Sequence, residues 1–135
     1  MGRVTLVDTS VWIDFLRRPG HPGNEPLREL LRHEEAVTTP PIEMELLLGP
    51  TDELSLRRVE KAIVGVGTLP VQPDVDFHDA AAIYRAVRRS GRTVRNSVDC
   101  LIAAIAIRHE VPLLHRDADF EAIAGVTELQ HRSLL

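Results

Sequence analysis

Four carboxylates occupy positions from which they can meet in the folded chain. Asp8 follows the first strand-like run, and Asp117 follows a late apolar run. Asp99 falls in the first turn of an apolar helix, and Glu45 falls on the helix after a second short strand. Ligands of an open α/β sheet bind beyond the carboxyl ends of its strands. We therefore expect the four acids to lie together at one edge of a sheet.

A cluster of four acids costs free energy unless a cation compensates its charge, because each carboxylate raises the pKa of its neighbours. A hard divalent cation relieves this repulsion, and Mg²⁺ prefers oxygen ligands in near-octahedral geometry. A bound cation lowers the pKa of water, directs that water at phosphorus and stabilises the leaving oxygen. The acids thus predict a Mg²⁺ site with the chemistry that hydrolyses phosphodiesters.

Taken one at a time, the same acids have structural explanations. Asp8 can end a strand, Asp117 can cap a helix and Glu45 can face water. The run from Asn96 to Asp99 resembles a capping box in which Asp99 replaces the usual glutamate. Only the occurrence of all four acids together favours a metal site over these separate roles.

Two other enzyme classes also gather acids at strand ends. A phosphatase with an Asp-x-Asp motif after its first strand would need a second acid where this chain has Ser10. A receiver domain would need a lysine at a strand end, and Lys61, the only lysine, lies outside any predicted strand. Both classes are therefore disfavoured.

Short apolar strands alternate with helices along the chain. The predicted strands are 3–7, 36–38, 68–71, 111–115 and 126–129, and the predicted helices are 11–16, 27–33, 40–48, 52–64, 75–89, 98–109 and 117–124. Such alternation is typical of an α/β fold in which helices cover both faces of a central parallel sheet.

Composition favours one globular domain over residues 1–135. Hydrophobic residues make up 44% of the chain, enough for a core without disulfides. Cys100 is the only cysteine, which excludes an intramolecular disulfide and a zinc site built from several cysteines. No apolar run approaches the ~18 residues of a membrane span, and the first residues do not resemble a signal peptide. We expect a cytoplasmic protein that does not contact membranes.

Five arginines fall in a stretch without acids between Asp79 and Asp99: Arg85, Arg88, Arg89, Arg92 and Arg95. The first four share a helical face, which either follows an RNA backbone or faces solvent. Arg95 and Arg116 lie close to Asp99 and Asp117 in sequence, so each is a candidate for contact with RNA phosphate, with a structural ion pair as the alternative. The net charge of −4 does not exclude a polyanionic substrate, because cations bound to four acids would leave the remainder near neutral.

Several further side chains near the acids have ordinary explanations. Trp12 and Phe15 could stack a base, but core packing or a protein interface is favoured for both. Cys100 is expected in the core. His115 lies within a predicted strand, which favours a packed histidine over a catalytic one. Glu43 precedes Glu45 by two residues and points about 160° away from it on a helix, so we do not include it in the site.

Four sequence blocks resemble, in order, the four motifs of the PIN domains of VapC toxins. The blocks are Val7-Asp8-Thr9-Ser10-Val11-Trp12, Glu45-Leu46-Leu47-Leu48-Gly49, Asp99-Cys100-Leu101-Ile102-Ala103-Ala104 and His115-Arg116-Asp117-Ala118-Asp119-Phe120. Each block alone is weakly specific, but their order and spacing agree along essentially the whole chain. The resemblance implies a three-layer PIN-like fold and a Mg²⁺- or Mn²⁺-dependent endoribonuclease, the toxin of a VapBC toxin–antitoxin pair.

The resemblance also implies roles for single residues. Ser10 would hydrogen-bond an acid or a water in the site, and Asp119 would make a weaker or water-mediated contact to the metal. The catalytic, metal-binding residues would be Asp8, Glu45, Asp99 and Asp117.

The partners implied by the resemblance are a structured RNA such as tRNA or rRNA, a second copy of the chain, and a VapB antitoxin. The C-terminal segment of that antitoxin would cover the acidic groove. The alternative is a catalytically silent PIN-like module that binds RNA or protein. Four intact acids argue against this alternative, because a module that only binds has no need of their repulsion.

Overall fold

The computed structural model describes residues 3–135, and a five-stranded parallel sheet forms its centre. The strands are β1 Thr5–Val7, β2 Ala36–Thr38, β3 Gly67–Thr68, β4 Leu113–His115 and β5 His131–Ser133. Their order across the sheet is β3-β2-β1-β4-β5. Leu6 of β1 lies opposite Val37 on one side and Leu113 on the other, so β1 is the central strand.

Helices connect the successive strands. They are α1 Thr9–Arg17, α2 Glu25–Arg32, α3 Pro40–Leu48, α4 Glu53–Ile63, α5 Pro73–Arg89, α6 Ser97–Arg108 and α7 Ala118–Ala124, with a short 3₁₀ helix at Pro22–Asn24. Proline in the first turn begins α2, α3 and α5, where its missing N–H has no helical partner to lose. The other four α-helices are capped by side-chain oxygens of Asp8, Asp52, Asn96 and Asp117.

The chain builds the sheet outwards in both directions from β1. From β1 it moves to β2 and β3, and it then crosses back to place β4 and β5 on the other side. Because parallel crossovers are right-handed, the two halves lay their helices on opposite faces of the sheet. The predicted three-layer α/β fold is therefore confirmed. The order of strands reverses between β1 and β4, which is where such sheets bind ligands.

The core lies between the sheet and these helices. The helix α6 is buried from Asp99 to Ala106, which explains why its apolar residues are not confined to one face. Trp12 and Phe120 are the bulkiest fully buried side chains among the described residues, and Cys100 is also buried. The core position expected for Cys100 is thus confirmed, and of the roles open to Trp12 the structure supports core packing. None of the helices in the described part combines the length and hydropathy of a membrane span.

Two strands depart most from their predicted positions, whereas β1 and β4 only begin two residues later than predicted. We predicted the last strand at 126–129, which was wrong, because the pairing with β4 begins only at His131. The Thr127 hydroxyl donates to Ile123 O at 2.8 Å and accepts from Leu129 N at 3.2 Å, which holds this segment in a turn after α7. The third strand, predicted at 68–71, is shorter and starts at Gly67, because Pro70 has no N–H with which to continue the ladder.

A buried ion pair joins the start of α5 to the end of α6. Asp76 is fully buried, and Arg108 donates to its two carboxylate oxygens at 2.7 and 2.9 Å. The backbone N–H of Gln72 donates a third hydrogen bond at 2.8 Å. Burial alone raises the pKa of Asp76, but these three hydrogen bonds outweigh it and the pKa is lowered. Asp76 is therefore an ionised carboxylate with a complete set of donors.

Candidate metal centre

A cleft of about 300 Å³ opens at the carboxyl edge of β1 and β4. It brings together five acids from four parts of the fold, and these acids are Asp8, Glu45, Asp99, Asp117 and Asp119. All of the acids named from the sequence thus line one cleft, whereas Glu43 is not among its lining residues. Their catalytic and metal-binding roles stay a prediction.

Three of the acids lie close enough to share one cation. One carboxylate oxygen from each of Asp99, Asp117 and Asp119 lies within 4.8 Å of the other two. Asp99 and Asp119 are buried, and Asp117 is partly exposed. Asp8, on the neighbouring strand end, is close enough that its charge raises the pKa of Asp99.

Asp8 uses its two carboxylate oxygens differently. Oδ2 accepts the Ser10 N–H at 3.0 Å and the Ser10 hydroxyl at 2.5 Å, so Asp8 itself caps α1. The Ser10 oxygen in turn accepts the N–H of Arg116 at 3.0 Å. Oδ1 is buried and accepts no hydrogen bond from any residue that the structure describes. A buried oxygen without a donor fits a cation, because such groups otherwise find a partner.

Asp117 and Asp119 repeat this division between an anchored and a free oxygen. Oδ1 of Asp117 caps α7 through the Asp119 N–H at 3.0 Å and accepts from the Arg95 guanidinium at 3.1 Å. Oδ2 of Asp119 accepts the backbone N–H of Arg95 at 3.1 Å and its Nε at 3.4 Å. Within residues 3–135 the other oxygen of each accepts no hydrogen bond, so both remain available as metal ligands.

Glu45 is held by two residues that we did not identify from the sequence. The Thr9 hydroxyl donates to Oε1 at 2.7 Å, and the Asn96 amide donates to Oε2 at 3.3 Å. Asn96 also caps α6 through Val98 N at 3.0 Å, so one side chain fixes both Glu45 and the helix that carries Asp99. Their positions in sequence, directly after Asp8 and three residues before Asp99, are the only signal that could have indicated them.

The electrostatics of the cleft differ from those of an ordinary ion pair. Burial, together with the charges of Asp8 and Asp117, raises the pKa of Asp99 to about 8. Burial also raises the pKa of Asp8 to about 6, although the hydrogen bonds from Ser10 lower it in part. The raised pKa values of both acids reflect the loss of solvation and the repulsion between neighbouring carboxylates. Oxygen donors with this excess of negative charge fit a hard divalent cation.

The arginines named from the sequence have different surroundings. Arg95 is exposed and contacts two of the acids. Arg116 lies beside the cleft, but its guanidinium is 3.0 Å from Asp14 and donates to Gly23 O at 3.2 Å, which supports the structural ion pair. The arginines of α5 and its following turn are exposed and form no ion pair with the described residues; these are Arg85, Arg88, Arg89 and Arg92. Contact of any of them with RNA stays a prediction.

His115 is fully buried beneath the cleft, in agreement with a packed histidine. Burial and the neighbouring His131 lower its pKa to about 4. A neutral imidazole without solvent contact is poorly suited to exchange protons with a substrate.

Known proteins resemble the chain in sequence and in structure. A family model described as the PIN domain matches residues 5–126. The chain is 45% identical over 130 residues to Ribonuclease VapC11 of Mycobacterium tuberculosis, covering 95% of this chain and 97% of VapC11. It has a TM-score of 0.69 to VapBC-5 from Mycobacterium tuberculosis, at 25% identity over 98% of this chain and 99% of that chain. VapBC2 from Rickettsia felis, bound to a DNA fragment from their promoter, has a TM-score of 0.78 at 13% identity, covering 96% and 98% of the two chains, and thus shares the fold. The sequence, the sheet and the acidic cleft of this chain support one conclusion: the chain belongs to the PIN domain family and to the VapC group within it.

Proposed function

We propose that the chain is a Mg²⁺- or Mn²⁺-dependent endoribonuclease and acts as the toxin of a VapBC toxin–antitoxin pair. The observation that carries this proposal is the set of free carboxylate oxygens in the cleft, on Asp8, Asp99, Asp117 and Asp119. Burial of several acids without matching donors is unfavourable unless a cation binds between them. The ribonuclease activity named for its relative VapC11 supports RNA as the substrate.

Some residues of the cleft would bind the cation, and others orient the carboxylates that bind it. Asp8, Asp99 and Asp117 would hold the cation with Glu45, and Asp119 would make a weaker contact. Ser10 fixes the Asp8 carboxylate, while Thr9 and Asn96 fix that of Glu45. When bound, the cation lowers the pKa of an attacking water and stabilises the oxygen that leaves phosphorus.

Arg95 is the candidate for the first contact with the RNA backbone. Its side chain is 76% exposed at the rim of the cleft, although it pairs with Asp117 and Asp119. A cation bound by those acids would take over the neutralisation of their charge and leave the guanidinium able to bind a phosphate oxygen. We propose a structured RNA such as a tRNA as the substrate, with the α5 arginines as a more distant contact.

A groove beside the cleft, lined by both apolar and polar side chains, suits the antitoxin. It lies between α1, α3 and α4 and shares Ile13 and Glu45 with the acidic cleft. Leu48 and Leu54, on either side of the turn that closes this groove, are 74% and 72% exposed. We propose that the C-terminal segment of a VapB antitoxin lies in the groove and covers the acids. The active species would be a cytoplasmic homodimer of single-domain chains.

The test is cleavage of total cellular RNA by the purified protein, with Mn²⁺ or Mg²⁺ and again with EDTA. Asp8→Asn should abolish cleavage yet keep the fold, because asparagine also caps a helix. Glu45→Gln should abolish it too, whereas Glu43→Gln, on the same helix but outside the cleft, should not. Discrete fragments that disappear with EDTA and with the two cleft variants are the expected result. Metal-independent cleavage, or equal loss in Glu43→Gln and Glu45→Gln, would contradict the proposal.

The alternative of a silent binding module predicts a different result. Such a module would leave RNA intact in every condition although it is folded and free of antitoxin, and it would bind Mn²⁺ weakly. Titration of the wild-type protein with Mn²⁺ therefore separates the two functions.

A further inference from the structure

Two histidines form a hydrogen-bonded pair beneath the acidic cleft. His115 ends β4, and His131 begins the neighbouring strand β5. The two imidazoles lie edge to edge with their planes 15° apart and their centroids 5.2 Å apart, and Nε2 of His115 lies 2.9 Å from Nδ1 of His131. The Phe120 ring packs against His115 with a centroid distance of 5.1 Å. None of the roles assigned above uses this pair.

The hydrogen bonds of His115 determine which nitrogen carries its proton. The backbone N–H of Asp117 points at Nδ1 from 3.2 Å. An amide N–H can only donate, so Nδ1 must be the acceptor and the ring proton must be on Nε2. That proton is then donated to Nδ1 of His131, whose own ring proton lies on Nε2. The pair therefore has one consistent arrangement of protons.

Nδ1 of His115 accepts a hydrogen bond from the main chain between the end of β4 and the start of α7. Asp117 follows β4 and caps α7, so its N–H belongs neither to the sheet nor to the helix. In the part of the chain that the structure describes, His115 Nδ1 is the hydrogen-bond partner of that N–H. Loss of this acceptor would leave a partly buried N–H without a partner and free the turn to rotate. Asp117 and Asp119, which the turn presents to the cleft, would then lose their orientation.

We propose that His115 is a positioning residue for the metal centre: its Nδ1, kept free of a proton by the hydrogen bond to His131, fixes the turn that orients Asp117 and Asp119 towards the cation. This inference rests on the proposed function in that it requires a cation in the cleft. It does not require that RNA is the substrate.

Two amide substitutions separate this role from simple packing. In His115→Asn the amide oxygen stands where Nδ1 stands, two bonds from Cβ, and can still accept the Asp117 N–H. In His115→Gln the amide extends one bond further, towards the position of Nε2, and can reach His131 instead. Both variants place a polar amide in the same apolar surroundings, so their melting temperatures should fall by similar amounts.

The readout is the Mn²⁺ dissociation constant of the full-length protein, measured by isothermal titration calorimetry, together with the melting temperature. We expect His115→Gln to bind Mn²⁺ roughly 10- to 100-fold more weakly than wild type, the usual cost of losing a group that orients a metal ligand. His115→Asn should stay within about threefold of wild type, since it restores the acceptor. Equal Mn²⁺ affinity in the two variants would reduce His115 to a packing role and overturn the proposal.

The wild-type protein provides a second measurement that does not depend on the folding of a variant. The ¹⁵N chemical shifts of its histidine rings should show His115 with an unprotonated Nδ1 and a protonated Nε2 at neutral pH. A proton on Nδ1 would overturn the proposal. Wild-type protein that binds Mn²⁺ but leaves RNA intact would instead contradict the proposed function alone, and protein that does not bind Mn²⁺ would contradict both.

Discussion

The molecule buries carboxylates in two places, and the two surroundings shift the carboxylate pKa in opposite directions. Asp76, between α5 and α6, is fully buried, and its oxygens accept three hydrogen bonds from Arg108 and Gln72. Asp8 and Asp99 in the cleft are nearly as buried, yet Asp99 accepts no hydrogen bond within residues 3–135. The pKa of Asp76 is lowered, whereas the pKa of Asp99 is raised to about 8.

This difference separates a structural acid from a functional one. Burial raises the pKa of both groups, and only the donors around Asp76 reverse that effect. A charge that is buried without donors destabilises the folded state, so it persists where another role requires it. Buried acids that keep a carboxylate oxygen without a donor, and not buried acids in general, therefore indicate the site.

The sharpest test of this comparison is to remove the charge of Asp99. Asp99→Asn should reduce RNA cleavage about 1000-fold, since even the loss of a group that only orients a metal ligand costs 10- to 100-fold. The fold should survive, because the substitution removes a charge that accepts no hydrogen bond. Initial rates of RNA cleavage and Mn²⁺ titration measure the first effect, and circular dichroism measures the second. A variant that cleaves at the wild-type rate would show that Asp99 has no role in the chemistry.

Asp76→Asn should show the reverse pattern. It leaves Arg108 without its partner in a largely buried position, and breaking such a pair costs roughly 3 kcal/mol in the free energy of unfolding. Urea denaturation should record that loss. Mn²⁺ affinity in the conditions where the variant is folded should remain at the wild-type value. A weaker Mn²⁺ affinity would mean that Asp76 and the cleft are coupled.

Stability should also depend on pH with opposite signs at the two acids. The pKa of Asp99 is raised in the folded protein, so the folded state binds more protons than the unfolded state and stability falls as pH rises towards about 8. The lowered pKa of Asp76 contributes stability that disappears only in acid. In the absence of metal, wild type should lose about 1 kcal/mol more than Asp99→Asn from pH 7 to 8. Denaturation of both proteins in EDTA checks this, and parallel pH dependence would count against the raised pKa.

The smallest effect is expected at the α5 arginines. Their charges form no ion pair with the described residues, as at Asp99, but they are exposed to solvent, which screens them. Reversal of charge at Arg88 and Arg89 should weaken RNA binding by about tenfold near 50 mM salt and by much less at 300 mM. Reversal at Arg57, an exposed arginine on α4, is the control. Binding to a labelled RNA, measured by fluorescence anisotropy across a salt series, distinguishes the two. Equal effects in both variants would assign the α5 face to solvent.

The sequence was sufficient for the layout of the fold and for the acids of the cleft, because both depend on local patterns. Alternating apolar runs fixed the parallel sheet, and the acids at strand ends followed from the motif spacing. The sequence did not predict Asp76 with Arg108, which are separated by more than a whole helix and meet only when α5 packs on α6. The hydrogen-bond donors to Glu45 were not predicted for the same reason, since Thr9 and Asn96 are 36 and 51 residues away from it in sequence.

The short strands also limited what sequence could resolve. Strands of two or three residues carry too few alternating positions to mark their own ends, so the register with β4 decided where β5 begins. Long helices such as α5 were located to within about two residues.

The capping role of Asp8 and Asp117 has a consequence for evolution. Because each of them holds a helix start with one oxygen, selection for folding alone would retain them after a gene duplicate had lost its activity. Asp99 caps nothing and destabilises the metal-free fold, so drift in an inactive descendant should replace it first. Among inactive descendants of such a chain, a substitution at position 99 would therefore be the first change in the site after activity was lost.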